Sequence, residues 1–115
     1  MSAAPDVPAV DPAEARRRLE TGAVLLDVRE PDEWDTGHAP DATWIPMGDV
    51  GARQAELSPD RPIVVVCRSG GRSAKVTSAL RQAGYDATNL AGGMQAWAAA
   101  GYGVVTDGGE PGAVA

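Results

Sequence analysis

The chain has 115 residues, a net charge of −6 at pH 7, a single cysteine and no Phe. Its length suits one domain that buries roughly two-thirds of its unfolded surface, and one cysteine excludes an internal disulfide. The acidic balance speaks against nucleic acid and anionic membranes as partners, and neither a membrane span nor an export signal is visible, so a soluble, cytoplasmic protein is expected.

In chain order, residues 1–6 are rich in Ala and Pro and predict a flexible N-terminus, with a short extended piece over Val7 to Val10. A helix follows. Asp11 suits its cap, Pro12 its first position and Glu14 a capping pattern, while Ala15 and Leu19 form the buried stripe up to Gly22. Ala23 to Val28 reads as a buried strand, Glu30 to Asp35 as a turn with a short helix, and Gly37 to Asp41 as irregular. Thr43 to Ile45 is a brief strand closed by Pro46, and Val50 to Leu57 a short helix.

Ile63 to Val66 is an apolar run that suits a strand buried on both faces, and it leads directly to Cys67. Val76, Ala79, Leu80 and Ala83 then recur at helical spacing until Gly84. Tyr85 to Leu90 is a strand candidate, though polar for one, and Gly92-Gly93 opens a last helix with Met94 and Trp97 on one face, ending at Gly101. From Thr106 on, small and polar residues predict a disordered tail over 106–115, leaving 7–105 as the folded domain. Strands that alternate with helices imply an α/β fold with a mostly parallel sheet of about five short strands.

The segment Cys67-Arg68-Ser69-Gly70-Gly71-Arg72-Ser73 carries the chemistry. Strand, tight loop and helix place the only thiol near a helix N-terminus. Arg68, Arg72 and Lys75 surround it, with no acid between Arg61 and Arg81, so this is a cationic spot in an acidic chain and suits a small anionic substrate. A free thiol with a pKa of about 8.5 is mostly protonated at neutral pH. The helix dipole, N–H groups turned inward around Gly70 and Gly71, and the arginine charges all favour the thiolate. The same N–H groups, the hydroxyls of Ser69 and Ser73, and a bidentate Arg68 or Arg72 can also hold an oxyanion.

These residues resemble the active-site loop of the rhodanese family, in which four residues separate the cysteine from an arginine, as they do between Cys67 and Arg72. Leu25-Leu26-Asp27-Val28-Arg29-Glu30, Glu33-Trp34, Gly37-His38-Ala39-Pro40-Asp41-Ala42 and Ile45-Pro46 are similar to that family's N-terminal signature, with Ala39 and Asp41 in place of the usual Ile and Gly. Leu90-Ala91-Gly92-Gly93-Met94-Gln95-Ala96-Trp97 is similar to its C-terminal one, so the resemblance runs from about Val10 to Gly101. It implies a three-layer rhodanese-like fold and a thiosulfate sulfurtransferase that moves sulfane sulfur through a persulfide on Cys67. A small anionic donor such as thiosulfate and a thiol or protein acceptor would be its partners, with cyanide as an assay acceptor. No metal or organic cofactor is implied, and the protein would act as a monomer or weak homodimer.

The alternatives are a persulfide carrier or sulfide-sensing module serving a protein partner and, against the loop length, a phosphatase-like or arsenate-reducing enzyme. Asp27 ends a strand and is expected to support the loop as a structural carboxylate bonded to loop N–H groups or to an arginine, with Arg29 paired to Glu33. Arg68 points either to substrate or to solvent, and Arg72 either to substrate or to an acid such as Asp27 or Asp32. His38 belongs to the structural signature, and Trp34, Trp44 and Trp97 to the core or a groove wall.

Overall fold

A computed structural model describes residues 7–115, and the flexible segment expected over 1–6 lies outside them. Five strands form one sheet in which every pairing is parallel: β1 (Ala9–Val10), β2 (Val24–Asp27), β3 (Thr43–Trp44), β4 (Ile63–Val66) and β5 (Ala87–Leu90), in the order β1-β5-β4-β2-β3. Parallel strands need crossovers, and helices supply them. These are α1 (Pro12–Glu20), α2 (Pro31–Thr36), α3 (Val50–Arg53, flanked by short 3-10 turns), α4 (Gly71–Gln82) and α5 (Gly93–Ala99).

The sheet lies between two apolar layers. Ile63 and Val65 point into one with Leu26, Val28, Ile45, Val76 and Leu80. Val64 and Val66 point into the other with Ala15, Leu25, Leu90, Met94 and Trp97. The two-residue period of β4 thus fills both layers, and β2 and β5 flank it, so the strand that delivers Cys67 is central. α1 starts as its capping residues dictate, the Asp11 carboxylate accepting from the Glu14 N–H at 2.8 Å with Pro12 in the first turn.

Two elements differ from the sequence expectation. Ala79 of α4 and Ala83 at its C-cap are exposed, and the buried face is Ser73, Val76, Thr77 and Leu80. The helix is turned so that two hydroxyls face inward, satisfied locally: Thr77 Oγ1 donates to the Ser73 carbonyl at 2.7 Å. The tail expected to be disordered has a defined path. Val105 bridges His38, and the Gly112 and Ala113 N–H groups donate to the Val104 and Thr36 carbonyls at 2.9 and 3.1 Å. Val114 packs on the core layer around Met94 and Trp97. Gly37 permits this, since a Cβ there would lie 2.5 Å from the Ala113 carbonyl oxygen. Among the described residues no helix is long and apolar enough to cross a membrane.

Candidate active site

Cys67 follows β4, and the chain turns from it into α4 through Gly70, whose φ of +114° is open to glycine at little cost. α5 braces the loop from the other side. Its Met94 and Gln95 N–H groups donate to the carbonyls of Cys67 and Arg68 at 2.8 and 3.0 Å. This approach is so close that a Cβ on Gly93, at φ +62°, would lie 2.5 Å from the Cys67 and Arg68 carbonyl oxygens. With two loop carbonyls held outward, the N–H groups beyond them face the sulfur.

Cys67 is buried, only 1% exposed. Its Sγ accepts from the Gly70 N–H at 3.1 Å, the Ser73 N–H at 3.4 Å and the Ser73 hydroxyl at 3.2 Å. Burial pushes the thiol up, and the Ser73 hydroxyl and the Ser73 and Gly70 N–H groups, aided by the nearby Ser69 N–H dipole, together hold it below the ordinary range. The Ser73 hydroxyl also lies 2.6 Å from Asn89 Oδ1.

The arginines do not converge on the sulfur. Arg72 makes a bidentate pair with Glu33 of α2, at 2.7 and 2.8 Å, which holds the Glu33 carboxyl down to about 2 and raises the Arg72 guanidinium above its ordinary value. Arg68 is exposed; its Nε donates to the Ala115 carbonyl, and with the Gln95 carboxamide oriented oxygen-first, as its donors require, its terminal nitrogens lie 3.2 and 3.3 Å from that oxygen. Gly71 opens α4 with free space where a Cβ would stand.

Asp27 is bonded to an arginine, Arg29, and its Oδ1 also accepts from the Arg29 backbone N–H at 3.0 Å, while Arg29 makes no pair with Glu33. The Asp27 and Arg29 side chains are fully buried, and Arg29 Nη2 donates to Asp27 Oδ2 at 2.8 Å and to the Gly37 carbonyl at 2.8 Å. The expected Arg29–Glu33 pair is therefore replaced: Asp27 takes Arg29, leaving Glu33 to Arg72. His38 stacks on Trp34 with ring centroids 3.5 Å apart and contacts Asp107 at 2.9 Å, away from the loop. Trp34 and Trp97 are buried, and Trp44 is half-buried with its indole N–H on the Arg29 carbonyl. Asn89 and Glu33 are the site residues that sequence reasoning missed. The one available signal was the polarity of β5, whose Thr88 and Asn89 are buried like core residues.

A rhodanese-like domain family model matches residues 11–100. The chain is 42% identical over 93 residues to a sulfurtransferase of Allochromatium vinosum, covering 79% of this chain and 87% of that one. It is 40% identical over 94 residues to the probable adenylyltransferase/sulfurtransferase MoeZ of Mycobacterium tuberculosis, matching 77% of this chain but spanning only 24% of that relative's length. The crystal structure of thiosulfate sulfurtransferase from Pseudomonas aeruginosa superposes with a TM-score of 0.79 at 30% identity, over 95% of this chain and 22% of that one. With the parallel sheet, the cysteine loop and these relatives in agreement, the chain belongs to the rhodanese-like domain family.

Proposed function

We propose that this domain transfers sulfane sulfur from thiosulfate through a persulfide on Cys67. The observation that carries the reading is the buried Cys67 Sγ held by two N–H groups and a hydroxyl within 3.4 Å, a setting that makes a nucleophile of a thiol at neutral pH. The Cys67 thiolate attacks the outer sulfur of thiosulfate and forms the S–S bond of the persulfide. The bond between the two thiosulfate sulfurs breaks, and sulfite leaves with its electron pair. The negative charge passes to the outer sulfur of the persulfide. Attack on that sulfur by cyanide or a thiolate then releases thiocyanate or a new persulfide and regenerates the Cys67 thiolate. Every step is closed-shell displacement, so the reaction needs no metal or organic cofactor. As the only cysteine, Cys67 must pass its sulfur to another molecule, and a reducing cytoplasm suits that exchange.

The committed arginines favour a second reading, a persulfide carrier that takes its sulfur from a protein donor. Arg72 holds Glu33 and Arg68 lies beside Ala115 and Gln95, so capture of free thiosulfate by Arg72 requires displacing Glu33. One experiment serves both readings. The purified chain is incubated with thiosulfate and its intact mass measured, then cyanide is added and thiocyanate assayed. Gain of one sulfur on Cys67, discharged by cyanide, supports the enzyme. An adduct that forms only from a persulfidated protein, and not from thiosulfate, supports the carrier. No adduct from either source refutes sulfur transfer.

A further inference from the structure

We infer that Asn89 is a positioning residue: it competes with the Cys67 thiolate for the single hydroxyl proton of Ser73 and so governs how readily Cys67 ionises. Three acceptors surround Ser73 Oγ: Asn89 Oδ1 at 2.6 Å, Cys67 Sγ at 3.2 Å and the Gly70 carbonyl at 3.3 Å. The Gly70 carbonyl already accepts from the Ala74 N–H at 3.1 Å and Asn89 Nδ2 at 3.2 Å, so the contest lies between sulfur and amide. The orientation of Asn89 follows from the same contact. A carbonyl oxygen accepts and cannot donate, so Nδ2 faces Gly70 and Oδ1 faces Ser73.

In the thiol state all groups are satisfied at once, because Cys67 S–H donates to Ser73 Oγ and the Ser73 O–H donates to Asn89. When Cys67 ionises, Ser73 turns its proton to the sulfur, and Asn89 Oδ1, on a residue 8% exposed, loses its donor. A buried acceptor left without a donor is costly, so Asn89 favours the thiol over the thiolate. In the persulfide, a state that rests on the sulfur-transfer reading above, the charge has moved to the outer sulfur. Sγ is then a weak divalent acceptor, and the Ser73 proton is free to return to Asn89. Asn89 thus favours the loaded state over the bare thiolate as well.

Among the described residues, the charged groups around Cys67 are Arg68, Arg72 and Lys75 of the loop and α4, Glu33 and Glu30 of the α2 end facing Arg72, and the buried Asp27–Arg29 pair at the end of β2. β5 and α5 bring none. Neutral substitutions at Asn89 leave all of these charges in place.

The test is the pH titration of Cys67, followed by thiolate ultraviolet absorbance and by iodoacetamide alkylation, in Asn89→Ala, Ser73→Ala and the double variant. Asn89→Val, which suits a strand and carries no acceptor, stands in should the alanine variant unfold. The expected result is a lower midpoint in either Asn89 variant, with about fivefold more thiolate at a fixed pH below it, the factor that one net hydrogen bond represents. In the Ser73→Ala background the Asn89 substitution moves nothing. A midpoint that rises or stays unchanged overturns the proposal, as does an equal shift without Ser73, which would make Asn89 a structural tie of the Gly70 turn. Neither readout uses a sulfur donor, so failure to load sulfur and failure of this proposal remain separable.

Discussion

Glu33→Gln separates the ion pair that Arg72 makes with Glu33 from the thiosulfate contact proposed for it. Glu33 is 15% exposed and Arg72 35%, and two hydrogen bonds of 2.7 and 2.8 Å join them. A carboxyl held at about 2 rather than 4.5 corresponds to about 3 kcal/mol at about 1.4 kcal/mol per pH unit. Because the arginine is about a third open to solvent, screening reduces the loss expected at pH 7 to about 1–2 kcal/mol. A depressed carboxyl contributes its stability above its unfolded value and loses it as pH falls through its folded one. The gap between wild type and Glu33→Gln, measured by urea denaturation, is therefore expected to be full above about pH 4.5 and to close towards pH 2. Because the variant releases Arg72 from its charged partner, KM for thiosulfate is expected to fall about threefold or more, a modest share of a charge-assisted hydrogen bond. Equal stability of the two proteins at pH 7, or a gap undiminished at pH 2, would refute the account of the pair. A KM that rises would refute Glu33 as the competitor for Arg72.

Gly93→Ala forces a Cβ to within 2.5 Å of loop carbonyl oxygens at a φ of +62° and is expected to destabilise by about 2–4 kcal/mol in urea. Gly71→Ala, at a helical position with open space around it, is expected to be neutral or stabilising by up to about 1 kcal/mol. Asp27→Asn leaves the fully buried Arg29 charge without its counter-ion, an expected loss of about 3–5 kcal/mol in the same assay. Asp107→Ala removes the contacts to the Trp34 indole N–H at 3.1 Å and to His38 at 2.9 Å. Near-neutral stability with altered tryptophan fluorescence and faster amide exchange at Ala113 is the expected outcome, whereas unchanged exchange would detach the tail's path from this anchor.

Local signals were readable wherever a residue acts on its own neighbourhood. Asp11, Pro12 and Glu14 start α1 by capping chemistry alone, and the apolar run Ile63–Val66 announces a strand buried on both faces. The cysteine loop was legible for the same reason, since its strand, glycines and helix are contiguous. What was missed depends on residues distant in sequence. Glu33 and Arg72 lie 39 positions apart, and nothing in either neighbourhood distinguishes Glu33 from Asp27 or Asp32 as the partner of Arg72. β5 was legible as a strand candidate but with a weak signal, because the buried Thr88 and Asn89 are satisfied by Arg18 and by Ser73 and Gly70, partners that composition does not reveal. The tail looked disordered because Asp, Gly and Pro lack bulk, yet its anchor is the absence of a side chain at Gly37, where Ala113 passes.

The site separates two electrostatic tasks that the sequence merges into one basic cluster. Around Cys67 the groups that touch sulfur are neutral donors, two N–H groups and a hydroxyl, within a residue 1% exposed. Such stabilisation is buried and short-ranged, so ionic strength barely alters it. Both loop arginines lie nearer to solvent and are already committed, Arg72 to Glu33 and Arg68 beside Ala115 and Gln95. An incoming dianion would gain Arg72 only by exchange with Glu33, and Arg68 only by displacing its Ala115 and Gln95 contacts, in a chain of net charge −6 that repels it at long range. In the proposed reaction, nucleophile strength and donor capture are therefore set independently: the first by Ser73 and the amide it faces, the second by how readily Glu33 yields Arg72. A protein donor that presents a persulfide directly to Cys67 bypasses the second control and depends on the first alone. That difference, more than the presence of a reactive thiol, decides between an enzyme that consumes thiosulfate and a domain that relays sulfur between proteins.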